Sequence, residues 1–301
     1  MRQSEERRIR QSMESAARAS GARMLPALVV LLLLSVGIAS AQTDAGERGQ
    51  KSAEEVAQEL ANPNTALGQL AFPIDTIWYD GELPGASDEW GFRVNFQPSL
   101  PVPIGPGVNF FARPLIPVIF RQPVPDAGGG FESEGVDLGD IGFDAAIGKS
   151  FGGGLVLVGG MVGSIPTATH DHLGAGHWSL GPEGLVGVVR DWGVVAALVN
   201  HSWDVGGDTD TSVTAGQYFY TINLKNAWQI SAQPTFSYNH EAPEGDRLAF
   251  PLGTGLAKTV IRGKTPWKFA CQYWYFAASA DSFGSRHQLR FQVSAVVPLP
   301  W

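Results

Sequence analysis

The sequence predicts an all-β fold: a single antiparallel transmembrane β-barrel of about twelve strands, preceded by a short N-terminal helix. Three observations predict it. The 301-residue chain has 37 Gly, 20 Pro and only 17 % charged residues, a composition typical of many short strands and turns. Polar and apolar side chains alternate along most of the chain. The connections between strands also alternate between tight turns and longer loops, and this connectivity is typical of outer-membrane barrels.

Residues 1–41 have the three parts of a secretory signal peptide. A region whose basic residues are all arginine precedes an apolar run, and the small residues 39–41 read Ala-Ser-Ala. We predict cleavage before Gln42. A retained membrane anchor is the alternative, although the apolar run is short for a span. Removing the six arginines and three glutamates of this segment leaves 15 basic and 26 acidic groups, a net charge of −11. Such a chain repels phosphate, which excludes nucleic acid as a partner.

Residues 42–68 differ from the rest of the chain and predict a periplasmic N-terminal segment with a short helix. Ser52 and Glu55 have the spacing of a capping box, and Asn62-Pro63 ends the helical pattern after Leu60. The helix has one weakly apolar face. A frayed terminus is the alternative interpretation.

The barrel is expected over residues 69–301. Apolar side chains share one parity of residues 228–238 and again of 289–301, whereas glutamine, serine, asparagine and arginine occupy the other. Segments 154–167 and 193–205 are apolar on both parities, so their register stays open, and several prolines fall inside proposed strands. The predicted strands are 69–80, 89–103, 107–122, 136–150, 154–167, 177–190, 193–205, 210–224, 227–240, 247–262, 265–279 and 286–301.

Soluble sandwiches and lipocalin-like barrels alternate in the same way. Three features favour a membrane barrel. The apolar parity carries Trp, Phe and Tyr near strand ends, as an interfacial girdle requires, and the polar parity suits a wet lumen. A third is the aromatic Trp301 after an alternating segment. It resembles the C-terminal signal that the barrel insertion machinery recognises, and the residues expected to form that signal are Phe291, Val293 and Trp301.

The polar parity contains charged groups of both signs together with glutamines. Two interpretations stay open: the charges pair across the lumen and plug it, or they line a narrow aqueous path. A twelve-stranded barrel lies between a filled and an open one, so strand number does not decide. The lumen-lining candidates are Arg93, Gln97, Arg113, Asp140, Asp144, Glu183, Gln229, Gln233, Lys268, Gln272, Arg290 and Gln292.

Several stretches resemble a family of bacterial outer-membrane proteins related to the barrel proteins of the meta-pathway of phenol degradation. Family members are labelled transporters or carry the neuropeptide name neuromedin U. The most specific stretch is Thr167-Ala168-Thr169 followed by Gly174, Trp178 and residues 180–182. The resemblance implies a single outer-membrane barrel and hints at aromatic or poorly polar solutes. The stretches that carry it are 59–63, 96–122, 138–141, 166–184 and 197–203.

Neither a metal site nor a cofactor is expected. His170, His172 and His177 are weak candidates for zinc or copper, but solvated loop histidines explain them better. Consecutive strand residues point to opposite faces, so His201 and Ser202 are not expected to pair as catalytic groups. We therefore expect no enzymatic activity, and a lipid hydrolase is the least favoured alternative.

The sequence thus favours an outer-membrane channel for passive passage of small molecules through a narrow polar lumen. The alternative is a closed structural barrel that binds the cell envelope. Expected partners are outer-membrane lipid, lipopolysaccharide, the barrel insertion machinery and an unidentified small solute. Acidic residues concentrated in the longer loops suit divalent cations that bridge to lipopolysaccharide phosphates.

Overall fold

The computed structural model describes residues 51–133, 135–206 and 210–301. The expected signal peptide and its cleavage site lie outside these residues. One α-helix, α1 (Ala53–Ala61), precedes the strands, and no described helix is long and apolar enough to cross a bilayer. The barrel strands are β1 (Gly68–Asp80), β2 (Trp90–Ser99), β3 (Val108–Arg121), β4 (Ile141–Ser150), β5 (Leu155–Ile165), β6 (Ser179–Arg190), β7 (Gly193–Asp204), β8 (Ser212–Asn223), β9 (Trp228–Ala232 and Thr235–Asn239), β10 (Leu248–Arg262), β11 (Thr265–Ala278) and β12 (Gly284–Val297).

Every barrel strand pairs antiparallel with its neighbours in the chain, and β1 pairs with β12 to close the sheet. Closure leaves no edge strand, which is why a barrel can exist in hydrocarbon. The predicted twelve-stranded antiparallel barrel is therefore confirmed. Four shorter strands accompany it: Val102–Gly105, Val124–Pro125, Phe131–Glu132 and Asp137–Leu138.

Tight turns and long loops fall at opposite ends of the barrel. The turns 151–154, 191–192 and 263–264 lie at the end where β1 begins and β12 finishes. Loops 122–140 and 166–178 lie at the other end. In outer-membrane barrels the short turns are periplasmic and the longer loops extracellular, so the N-terminal segment enters from the periplasmic side.

The outer surface of the barrel is apolar. Mid-strand side chains such as Leu252, Leu256 and Val195 are each more than half exposed. Tryptophans flank this band at both ends, with Trp203 at the extracellular end and Trp228 at the periplasmic end. An apolar band between two aromatic girdles is the surface that a membrane barrel presents to lipid. Soluble proteins rarely expose so large an apolar surface to water. The protein is an outer-membrane β-barrel.

Strand pairing lapses between β2 and β3, where the prolines lie. Phe92–Phe96 pair with residues 116–121, and Val102–Gly105 pair with residues 108–110. Residues 97–101 and 111–115 do not pair across this gap, which contains Pro98, Pro101 and Pro114. Proline has no backbone N–H to donate to a neighbouring strand. These three prolines therefore interrupt the pairing, and they themselves leave no N–H group without an acceptor.

A second gap separates β9 from β10. Residues 228–230 pair with 256–258 and residues 237–238 pair with 248–249, whereas residues 231–236 do not pair with residues 250–255. Two tyrosines of β8 reach across β9 to supply the missing donors. The hydroxyl of Tyr218 donates to the carbonyl of Pro251 at 2.8 Å, and that of Tyr220 donates to the carbonyl of Gly253 at 3.2 Å. The side chains thus replace backbone hydrogen bonds on the lipid side of the wall.

Tyr218→Phe is expected to lower the free energy of unfolding by about 1–3 kcal/mol, because it leaves the carbonyl of Pro251 without its donor. Equilibrium urea unfolding in micelles measures the change. Tyr275→Phe is the matched control, since the Tyr275 ring contacts Arg286 and His287 but its hydroxyl has no hydrogen bond among the described residues. Equal losses in the two variants would contradict the role given to Tyr218.

The last strand is shorter than predicted. β12 ends at Val297, not at residue 301, and Trp301 lies beyond it with its indole N–H donating to the carbonyl of Pro101 at 2.8 Å. Pro298 and Pro300 account for the difference, because neither has a donor for continued pairing. Phe291 and Val293 lie on the outward parity of β12.

Candidate functional site

The inward-facing side chains of the strands enclose a cavity of about 210 Å³. Its lining comes from strands all around the barrel, so the cavity is the central part of the lumen. Gln97, Gln233, Gln272 and Gln292 are among its lining residues, as the sequence predicts for a polar interior.

Asp75 is the centre of one charged cluster. Its side chain is fully buried, and its carboxylate accepts hydrogen bonds from Arg290 Nε at 2.7 Å and Nη2 at 2.9 Å. Arg93 Nε lies 3.4 Å from the same carboxylate. Asn95 and Gln288 donate to it as well. One carboxylate thus balances two guanidinium groups, and the cluster keeps a net positive charge.

A second cluster lies on β3 and β4. Arg113 Nε donates to both carboxylate oxygens of Asp144, at 2.8 and 3.1 Å. Glu183, on β6, is 8 % exposed, and its Oε1 has no hydrogen-bond partner among the described residues. It therefore adds an uncompensated acidic group to this side of the wall.

The ion pairs follow the barrel wall. Asp75 is the direct cross-strand partner of both Arg93 and Arg290, and Arg113 is the direct partner of Asp144. Each pair therefore joins neighbouring strands, and no described lumenal ion pair crosses to the opposite wall. This geometry favours the interpretation in which the charges line a path.

Glutamines join four strands inside the lumen. Gln217 Nε2 donates to the carbonyl of Gln233 at 3.2 Å, and Gln233 Nε2 donates to Gln292 Oε1 at 3.0 Å. Gln272 Oε1 accepts from the backbone N–H of Gln233 and from the indole of Trp274. These side chains satisfy the backbone where β9 is interrupted, and they give the lumen its uncharged polar surface.

The N-terminal helix forms as predicted, with a complete capping box. The backbone N–H of Glu55 donates to Ser52 Oγ at 3.2 Å, and the backbone N–H of Ser52 donates to Glu55 Oε2 at 2.7 Å. The hydrogen bonds from Ser52 hold the pKa of the Glu55 carboxyl below its usual 4.5. The cap thus stays intact at neutral pH.

Residues 51–67, which we call the lumen segment, cross the inside of the barrel. Gln229 Nε2, on β9, donates to the carbonyl of Ala57 at 3.0 Å. Asn64 Nδ2 donates to Ser150 Oγ at 2.8 Å, and Asn109 Nδ2, on β3, donates to the carbonyl of Asn64 at 3.0 Å. Strands β9 and β3 are six apart in a twelve-stranded barrel, so these anchors lie on opposite walls. The segment spans the lumen and forms one boundary of the cavity.

This placement differs from the expected periplasmic lead-in. Val56 and Ala57 are buried, and Gly148 leaves the space that the Asn64 side chain occupies, since a Cβ there would lie 2.6 Å from Asn64 Oδ1. The apolar helix face packs inside the periplasmic mouth because that is where it is shielded from water. Gln229, expected to line the lumen, is buried there and donates a hydrogen bond to the lumen segment.

Asp140 is also placed differently from the prediction. It precedes β4, and its carboxylate accepts hydrogen bonds from the backbone N–H groups of Thr167, Ala168 and Ala175 at 3.0, 3.0 and 2.7 Å. It therefore anchors an extracellular loop. Lys268, in contrast, lines the cavity as predicted, and its ammonium group has no ion pair or hydrogen bond within the described residues.

The three loop histidines do not converge on one point. His170 lies 3.2 Å from Asp137 and stacks on His172 with ring centroids 5.7 Å apart. His177 is buried, and its Nε2 is 2.8 Å from Thr211 Oγ1. The described residues contain no group of three or more His, Cys, Asp or Glu side chains placed to hold a metal ion.

His201 and Ser202 lie on opposite faces of β7, as their adjacency predicts. His201 Nδ1 is 2.8 Å from Thr214 Oγ1, and its ring packs 4.3 Å from that of Trp203 on the outer face. Ser202 lies on the inward parity. The arrangement therefore does not bring the two side chains together for nucleophilic catalysis.

Asp75, Asn64 and Asn109 were not among the residues predicted for the lumen. Asp75 lies in the middle of β1, where most neighbouring residues are apolar, and an acid at such a position is the signal that would have identified it. Asn64 and Asn109 gave no such signal, because asparagine is common in turns and at strand ends.

The closed barrel, its apolar outer surface and its charged interior define the class: an outer-membrane β-barrel whose lumen holds an N-terminal segment. No protein-family model and no curated protein matches the chain. Among solved structures, the COG4313 outer membrane channel from Pseudomonas putida F1 has a TM-score of 0.61 at 10 % identity, over 85 % of this chain and 100 % of that one. That likeness shows the same fold. The NanC porin is also similar, at a TM-score of 0.48 and 8 % identity, over 76 % of this chain and 100 % of its own.

Proposed function

We propose that this protein is an outer-membrane channel for the passive passage of small molecules through its narrow polar lumen. The observation that carries the proposal is the arrangement of the lumenal charges: they pair along the wall and leave a polar cavity between them. A barrel whose interior is only structural is filled by side chains at its centre. The solved structure of similar fold from Pseudomonas putida F1 is described as an outer membrane channel, which supports this function.

The lumen segment makes the channel closed in this conformation. Hydrogen bonds to opposite walls hold the segment, and they involve only a few polar side chains. We infer that passage requires the segment to leave its place. No energy-coupling motif is present in the sequence, so transport runs down a gradient. The cavity is smaller than the roughly 300–1,000 Å³ of drug-sized pockets, which suits small solutes.

A closed envelope-binding barrel is the second candidate, and the lumen segment is the observation that favours it. The acidic extracellular loops would then bind divalent cations and lipopolysaccharide.

Membership of the family related to the meta-pathway barrels is likewise proposed, on the sequence stretches that resemble it. The barrel insertion machinery is the proposed assembly partner, through the outward Phe291 and Val293 and through Trp301.

Liposome swelling separates the two candidates. Proteoliposomes that contain the full mature chain are diluted into isotonic solutions of small uncharged and zwitterionic solutes, such as glycerol and glycine. We expect swelling faster than that of protein-free liposomes, and slower swelling as the solute grows larger. Swelling no faster than in the protein-free control, from barrels shown to be folded by their heat-modifiable migration on gels, would overturn the channel function.

A further inference from the structure

The charges that face the cavity are all positive. Arg113, Lys268 and Arg290 are among its lining residues, and no aspartate or glutamate of the described chain is. The carboxylates that balance the two arginines lie behind them in the wall: Asp75 is fully buried, and the Asp144 side chain is 14 % exposed. A solute in the cavity therefore contacts guanidinium and ammonium groups directly, whereas Asp75, Asp144 and Glu183 do not line the cavity.

Lys268 is the cavity cation whose hydrogen-bond donors are all unused among the described residues. Arg290 already makes two hydrogen bonds to Asp75, and Arg113 makes two to Asp144. The ammonium of Lys268 has three donors and no partner among the described residues. Its cross-strand neighbours are Thr259 and Ser294, which carry no charge. An unpaired cation away from bulk water favours an anion that supplies the missing charge and acceptors.

The opposite wall of the same cavity carries an apolar patch, although Gln217 and Thr221 of β8 also line the cavity there. Leu185, Leu198 and Phe219, from β6, β7 and β8, line it and pack with the cluster of buried apolar residues around Val156. β6 lies six strands from β12, which carries Arg290, so the apolar and cationic walls face each other. The lumen segment adds Leu60 and Leu67 to the lining. The cavity thus offers cations on one side and an apolar surface on the other.

We propose that the cavity is a binding site for a small amphipathic organic anion, with the anionic group at Lys268 and the apolar body against Leu185, Leu198 and Phe219. This rests on the proposed function and deepens it, since it names the class of solute that the channel accepts. A carboxylate accepts charge-assisted hydrogen bonds from the ammonium of Lys268, while the carbon chain displaces water from the apolar residues opposite. The cavity volume of about 210 Å³ limits the solute to a short chain or a single ring.

Ligand-observed saturation-transfer NMR on the full mature chain in micelles tests the site. The probes are butanoate, 1-butanol and butylammonium, which share one alkyl chain, together with acetate, which lacks most of it. We expect butanoate to bind more tightly than each of the other three. Lys268→Gln is expected to weaken butanoate binding by about tenfold or more, whereas Lys268→Arg keeps it. Lys264→Gln is the matched control, because that exposed lysine lies in the β10–β11 turn and does not line the cavity.

Equal binding of butanoate and butylammonium, or unchanged butanoate binding in Lys268→Gln, would overturn the site. The measurement needs no open pore, so its failure is distinct from failure of the channel. A barrel that binds butanoate but causes no liposome swelling keeps the site and refutes passage. A barrel that passes solutes but does not bind butanoate refutes the site alone.

Discussion

Deletion of residues 51–67 is expected to raise the single-channel conductance of the barrel several-fold. These residues cross the lumen between anchors on opposite walls, at Gln229 and at Asn109 and Ser150. Without them the cavity continues to the periplasmic mouth. The deletion ends before Gly68, where β1 begins, so all twelve strands remain. Recordings in planar bilayers measure the change.

The control for this prediction is a deletion of Gly128–Gly130, which shortens an exposed extracellular loop and leaves the lumen segment in place. Its conductance is expected to match that of the full mature chain. If deletion of residues 51–67 also left the conductance unchanged, the lumen segment would not be the closure of the channel.

Asp75→Asn is expected to lower the free energy of unfolding by about 3–5 kcal/mol, the usual cost of removing one partner from a buried ion pair. The substitution keeps the shape of the side chain but leaves two guanidinium groups without a counter-charge. Arg290 is affected more than Arg93, because its side chain is 11 % exposed and that of Arg93 is 39 % exposed. Urea unfolding of the barrel in micelles, followed by tryptophan fluorescence, measures the loss.

Asp144→Asn is the control for Asp75. Its carboxylate bonds to one guanidinium only, that of Arg113, and both side chains are partly exposed, at 28 % for Arg113 and 14 % for Asp144. We expect a clearly smaller loss of stability. Losses of equal size would show that Asp75 is not the centre of the larger cluster.

The barrel itself was predictable because its signals are local. Side chains alternate with a period of two within each strand, and turn residues separate the strands, so all twelve were located from short stretches of sequence. Arg93, Arg113, Lys268 and Arg290 were assigned to the lumen by the same parity. Strand ends were less predictable: β2 ends at Ser99 and β12 at Val297, before prolines that were given too little weight, and β4 begins only at Ile141.

The position of residues 51–67 inside the barrel was not predictable from local patterns. Gln229 and Ala57, which hold the lumen segment, are 172 residues apart in the chain. The capping box predicts the helix but not the surface against which its apolar face packs. Asp140 was equally hard to predict. Its parity suits the lumen, and only the path of the loop 166–178 makes Asp140 the anchor of that loop.

A disulfide that locks the lumen segment to the barrel wall tests most directly whether solutes pass where the segment lies. Asn64→Cys and Ser150→Cys, in a Cys271→Ser background, place two thiols where the native side chains are 2.8 Å apart. We predict that the oxidised chain passes no current in planar bilayers and that a reductant restores the current of the uncrosslinked protein. Identical conductance before and after reduction, with the crosslink confirmed by gel mobility, would contradict a channel closed by this segment.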